Sequence, residues 1–231
     1  MIRRFTVMLL LFGLAMVFLS LALGYVPDTE LNQTARYYAD NTVTDTGAAN
    51  IVTAIIVTYR GLDTLGEVTV LFLTAAIVGL VLARGAHRTE PRATTPTGEL
   101  LSTGSALLVP LILLLGAYVF VNGHLTPGGG FQGGAILASG VLLMLLADPL
   151  RKYSHRLISL IESVSGLVFV GIAVLGVVLA GGFLDNSLLP AGDFGSLLSA
   201  GTIPVVYSFI GLKVGAEFSS MLVNLSETEG S

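Results

Sequence analysis

Cysteine and tryptophan are both absent from this 231-residue sequence, and only 11% of its residues are charged. Without cysteine there can be no disulfide, thiolate metal site, iron–sulfur ligation or thiol nucleophile. Without tryptophan, any interfacial aromatic belt rests on tyrosine and phenylalanine. Three scattered histidines, His87, His124 and His155, supply neither a metal cluster nor the nucleophile, base and orienting group of an enzyme. The net charge of −4, with no basic cluster beyond short loops, argues against nucleic acid as a partner. The expectation is a protein with no catalytic residues, no cofactor and no metal.

What fills the chain instead is apolar: 53% of residues are hydrophobic and the mean hydropathy is +0.85. Runs of about 18 or more such residues are long enough to cross a bilayer. They occur at about 5–26, 64–84, 102–121, 130–147, 157–180 and 200–225. The fold class expected is an all-α integral membrane protein of about six transmembrane helices. Residues 48–59 form a seventh, shorter run that reaches only about 18 Å at 1.5 Å per residue. That predicts a half-length helix near residues 48–60, broken at Gly61.

Arg3 and Arg4 ahead of the first run resemble the start of a signal peptide. The run is too long for that, and Gly24-Tyr25-Val26-Pro27 is a poor cleavage site, so a retained helix is expected. Residues 27–47, with Asp28, Glu30, Asp40 and Asp45 against Arg36, predict a solvent-exposed loop, with Tyr37 and Tyr38 at the headgroup level. Residues 86–99, rich in Thr, Pro and Arg, predict a linker between a two-helix region (1–85) and a four-helix region (100–231). With six spans, Arg3, Arg4, Arg84, Arg88, Arg92, Arg151, Lys152 and Arg156 fall on one side, and Arg36 and Arg60 on the other. By the positive-inside rule both termini are cytoplasmic, in a multi-pass protein of the cell membrane.

Against this background the stretch from Gly123 to Gly134 stands out. It contains His124, Pro127, Gly128, Gly129, Gly130, Phe131, Gln132, Gly133 and Gly134. No single helix runs through Pro127–Gly130, because Pro lacks an N–H and each Gly costs about 1 kcal/mol in a helix interior. Two readings are open: a tight turn between membrane helices, or a polar loop that carries His124 and Gln132 to a site. Gly130 and Gly134, like Gly211 and Gly215, give smooth faces for close helix packing.

Ionisable groups in or beside membrane spans are costly and therefore functional candidates. Arg60, Asp63 and Glu67 lie within eight residues at the mouth of the second span. Thr64 and Glu67 also fit a capping box, and Arg60 with Asp63 fits a plain ion pair. Lys213 and Glu217 stand at i and i+4 in the last span, either as a self-neutralised pair or as a proton relay. Pro204 is expected to kink that span. Glu162 reads as a residue reaching the interface or as a polar contact to a neighbour.

The run "GHLTPGGGFQGG" at 123–134 resembles the signature of the MnhB/MrpB family, membrane subunits of multisubunit monovalent cation/proton antiporters. Its Leu125-Thr126-Pro127 is closer to the related subunit of energy-converting membrane-bound hydrogenases. "YRGLDTLGE" at 59–67, following Asn50-Ile51-Val52-Thr53, is similar to the end of the large antiporter A subunit and to the hydrogenase E subunit. "GLKVGAEF" at 211–218 resembles the family's C-terminal helix. The resemblance implies a fusion of two neighbouring subunits that works with other membrane subunits in the lipid bilayer on Na⁺ and H⁺. By it, Arg60, Asp63, Glu67, His124, Lys213 and Glu217 are the ion-path candidates. A hydrogenase-type module and a purely structural scaffold are the alternatives.

Overall fold

The computed structural model describes residues 2–26, 30–85, 98–149 and 153–230. The only regular secondary structure among them is helical. Residues 86–97, with His87, Arg88 and Arg92, and residues 150–152, with Arg151 and Lys152, lie outside the described part. The chain divides into two compact units, residues 1–37 and 38–231.

The first unit holds α1 (Ile2–Gly24) and the start of α2 (Gln33–Thr46). From Arg4 onward every side chain of α1 is exposed. A helix that is apolar all round and exposed suits lipid contact. Asn32 caps α2, accepting from Ala35 N at 2.8 Å through its side chain and from Arg36 N at 2.9 Å through its carbonyl.

The helix α2 corrects the loop expected at 27–47. Its polar composition hides it, but in the second unit its threonines are self-satisfied. Thr42 Oγ1 donates to Tyr38 O at 2.5 Å and Thr46 Oγ1 to Thr42 O at 2.6 Å, so both are buried without an unpaired hydroxyl.

The second unit continues with α3 (Ile51–Ala54), which widens into a π turn at Ile55–Tyr59 and stops at Arg60. This is the short broken helix that the run length implies. Four long helices follow: α4 (Gly61–Gly85), α5 (Glu99–Val121), α6 (Gly130–Ala147) and α7 (His155–Leu175). α7 ends in a second π turn at Gly176–Ala180, and α8 (Ile203–Gly230) closes the fold. Among the described residues, six helices are long and apolar enough to cross a membrane: Arg4–Gly24, Gly61–Leu82, Glu99–Val121, Gly130–Ala147, His155–Ala180 and Ile203–Thr228. They match the six apolar runs of the sequence closely.

Two local expectations fail. α4 begins at Gly61, so Thr64 is not its N-cap and the capping box with Glu67 does not form. Thr64 is instead buried and donates to Ile56 O at 2.8 Å, satisfying a carbonyl of the π turn. Pro204 is the second residue of α8, where its missing N–H is not needed, so it starts the helix rather than kinking it. Pro110 lies in the interior of α5.

α8 is the hub, packing against α4, α5, α6 and α7. Glycines set its approach to α6. A Cβ on Gly134 would lie 2.7 Å from Gly211 O, and one on Gly130 2.7 Å from Ile210 Cγ2. α5 and α6 cross equally closely, since a Cβ on Gly133 would lie 2.7 Å from Gly116 O. The smooth glycine faces are thus used within this chain. One apolar core joins Ala54, Val57 and Val68 to Phe169, Leu184, Val206, Ile210 and Val214. Residues before and after the 86–99 segment therefore share one core.

Candidate ion-path site

Two glycines of the glycine-rich loop, Gly123 and Gly129, press against one side chain, Tyr207. A Cβ on Gly123 would lie 2.7 Å from Tyr207 Cδ1, and one on Gly129 would collide with Cε1 of the same ring. Only glycine lets the backbone pass so close to the buried phenol. The loop is then fixed from the α3 side. Asn50 donates through Nδ2 to Gly123 O and Thr126 O, both at 2.9 Å, and Thr53 Oγ1 donates to Gly123 O at 2.6 Å. The carbonyl of His124 accepts from Ala49 N and Asn50 N, each at 3.0 Å. Asn50 also caps α3, accepting from Val52 N at 3.1 Å.

His124 sits inside this clasp with its side chain fully buried, Nε2 3.3 Å from Ser196 O. Burial lowers its pKa below the ordinary histidine value, and the carbonyls of Ser196 and Val121 oppose that in part. A second clasp lies nearby. Asn186 Nδ2 donates to Thr46 O at 2.7 Å, while its Oδ1 accepts from Thr202 N at 2.9 Å. Leu184, at φ +53°, packs where a Cβ on Gly61 would be 2.7 Å away.

Glu67 lies six residues into α4, about 9 Å along the helix. With Gln132, Thr64, Tyr207 and Ile210 it lines a small cavity of about 50 Å³ between α3, α4, α8 and the glycine-rich segment. Arg60 and Asp63 do not join it. They pair with each other, Nε to Oδ2 at 2.6 Å, with both side chains more than half exposed. Such a surface pair contributes about 0–1 kcal/mol.

Lys213 lies ten residues into α8, about 15 Å from its start and so near mid-span. Its Nζ is 2.6 Å from Glu217 Oε1, and the two side chains are 10% and 0% exposed. The ammonium also stands 5.1 Å from the centre of the Phe72 ring, a cation–π distance. A groove of about 260 Å³ between α4, α7 and α8 opens beside it, lined by Phe72, Glu162, Gly166 and Lys213 among others. Gly166 offers no side chain to Lys213, leaving its flank open to that groove. Glu162, half-buried, is thus a member of the Lys213 surroundings. His155 pairs at the surface with Glu227 at 2.8 Å.

The sequence candidates fall into four places: Glu67 and Gln132 at the small cavity, Lys213 at the groove with Glu217 paired behind it, His124 in the clasp, and Arg60 with Asp63 in an exposed pair. Cavity and groove lie on successive stretches of α4 and α8. Sequence reasoning gave no role to Asn50, Thr53, Asn186, Tyr207 or Phe72. Asn50 and Thr53 carried a weak signal as polar residues in an apolar run. Tyr207 and Phe72 carried no signal, being single aromatics within apolar runs.

Six helices among the described residues long and apolar enough to span a membrane, with ionisable side chains lodged among α4, α7 and α8, define a multi-pass membrane protein. Residues 100–220 match the family model described as a domain related to the MnhB subunit of Na⁺/H⁺ antiporters, and the chain belongs to that family. Residues 2–96 match the MbhE model, which describes the E subunit of MBH. The chain is 37% identical over 81 residues to the B subunit of the Na⁺/H⁺ antiporter of Bacillus subtilis, covering 35% of this chain and 51% of that protein. Among solved structures it is similar to a chain of the membrane-bound sulfane sulfur reductase, an archaeal respiratory membrane complex. The TM-score is 0.83 at 38% identity, over 97% of this chain and 98% of that one. It is also similar to a chain of the Mrp complex from Dietzia sp. DQ12-45-1b, with TM-score 0.75 and 26% identity, over 97% of this chain and 26% of that one.

Proposed function

We propose that the chain is a non-catalytic membrane subunit of a multisubunit monovalent cation (Na⁺)/proton antiporter, serving both the translocation path and assembly. The observation that carries this is the Lys213–Glu217 pair, held near mid-span beside a groove that also holds Glu162. Taking two charges out of water costs several kcal/mol per ion. A pure spacer has no use for that cost, whereas a hydrated path has. In this reading Glu67 attracts the cation at one end of the path and Lys213 gates it or hands on protons deeper in, with Glu217 setting the lysine's charge. Arg60 and Asp63 flank the entrance, and His124 holds the loop in place.

The division at residues 86–99 makes the chain the equivalent of two subunits in one polypeptide, and its partners are the other membrane subunits of the complex. Both termini face the cytoplasm of a cell-membrane protein. A second reading, the same component in the ion-pumping module of a respiratory complex, is favoured by the end-to-end correspondence with the sulfane sulfur reductase chain. Purification of the complex and identification of its subunits separates the two: redox subunits with iron–sulfur clusters support the second, their absence the first. Vesicles with and without the chain test the shared claim, since cation-dependent proton flux is expected only where the chain is present. Equal flux in both overturns it.

A further inference from the structure

We infer that the cavity between Glu67, Gln132, Thr64 and Tyr207 is a coordination site for one partly dehydrated monovalent cation. This rests on the ion-path reading of Glu67 and adds the oxygens that would hold the ion. Size comes first: about 50 Å³ has room for a small ion with a residual water, and is far below what an organic substrate needs.

The donor set comes next, and the Thr64 hydroxyl in it is already oriented. Thr64 Oγ1 donates its proton to Ile56 O at 2.8 Å, so its oxygen offers lone pairs elsewhere. Tyr207, buried in the lining, brings a phenolic oxygen. Gln132 Oε1 folds back to within 3.1 Å of where a Gly129 Cβ would be. Glu67 supplies the one carboxylate. A single negative charge with neutral oxygens suits a monovalent ion, whereas calcium sites take several carboxylates and magnesium keeps most of its water.

Access fits as well. Thr64, Tyr207 and Ile210 are buried and form the floor, while Glu67 and Gln132 are exposed and form the mouth. Non-helical backbone at such depth is tolerated where it lines a cavity, as the π turn and the glycine-rich segment do here. An ion entering would meet the carboxylate first and the fixed oxygens after it.

The test is equilibrium binding of radioactive Na⁺ to the purified, detergent-solubilised complex, with choline replacing Na⁺ at constant ionic strength. Glu67→Gln is expected to remove one bound Na⁺ per complex. Gln132→Leu and Tyr207→Phe are each expected to raise the half-saturating Na⁺ concentration by roughly tenfold. Tyr207→Phe keeps the ring against Gly123 and Gly129, so it reports on the site even if Glu67→Gln disturbs assembly. Gly171→Ala, on α7 with nothing within 4 Å of the added Cβ, is expected to bind Na⁺ as wild type does. Wild-type binding in assembled Glu67→Gln and Tyr207→Phe complexes overturns the site and leaves only water in the cavity. That result is separable from a failure of the ion-path reading, which is read from proton flux.

Discussion

Lys213 and Glu217 form an ion pair of 2.6 Å one turn apart on α8, with the carboxylate wholly shielded from solvent in this chain. The pair is short, yet neither carboxylate oxygen accepts a well-aligned hydrogen bond. Removing one partner leaves the other charge buried and uncompensated, whereas neutralising both removes the problem. Lys213→Met alone is therefore expected to lower the stability of the complex by about 3–5 kcal/mol. Lys213→Met/Glu217→Gln is expected to recover most of that. Thermal unfolding of the purified complexes checks it, and a double variant less stable than the single would contradict it.

The crossing of α6 and α8 leaves no room for a methyl group at Gly134, where a Cβ would lie 2.7 Å from Gly211 O and from Val214 Cβ. Forcing the helices apart costs typically about 1–3 kcal/mol. Gly134→Ala is expected to reduce recovery of the complex and Gly134→Leu to abolish it. Gly66→Ala, at a helical position with nothing within 4 Å of the new Cβ, is expected to assemble normally. Equal recovery of Gly134→Ala and Gly66→Ala contradicts a packing role.

How much of this was legible follows the range of each interaction. Apolar runs and their lengths are local, so the six spans and the broken helix at 51–59 could be read directly. The glycine faces were legible as spacing, though not which helices they join. The helix α2 was missed because its hydroxyls bond within the helix, which composition does not reveal. The capping box failed because Leu184, more than 120 residues away, packs on Gly61 and Thr64 turns to the π-turn carbonyl of Ile56. Glu67 and Lys213 were legible as charges in spans. The oxygens around Glu67 come from three separate segments, and no local pattern links Thr64, Gln132 and Tyr207.

Burial lowers the pKa of His124, so the unfolded loop binds a proton more tightly than the folded one. The clasp is thus fully stable above the ordinary histidine pKa of about 6.5 and loses stability as pH falls below it. Heat stability of the wild-type complex is expected to drop between neutral and mildly acid pH. His124→Gln is expected to be less stable at neutral pH and to show a smaller drop. An equal drop in both contradicts the assignment.

Orientation can be read with thiol labelling, because the chain has no cysteine of its own. Asp40→Cys and Thr94→Cys are expected to label from opposite faces of the membrane, Thr94→Cys from the cytoplasmic side. Labelling of both from the same side contradicts six spans with cytoplasmic termini.

The central claim is that Glu67 and the Lys213–Glu217 pair act on ion movement as well as on folding. It is tested most directly by cation-dependent proton flux in everted vesicles containing Glu67→Gln or Lys213→Met/Glu217→Gln complexes, compared at equal amounts of assembled complex. Both are expected to assemble and to carry flux roughly tenfold or more below wild type, a loss of about 1.4 kcal/mol or more in transition-state stabilisation. Wild-type flux in both assembled complexes would contradict the account and reduce this protein to scaffold.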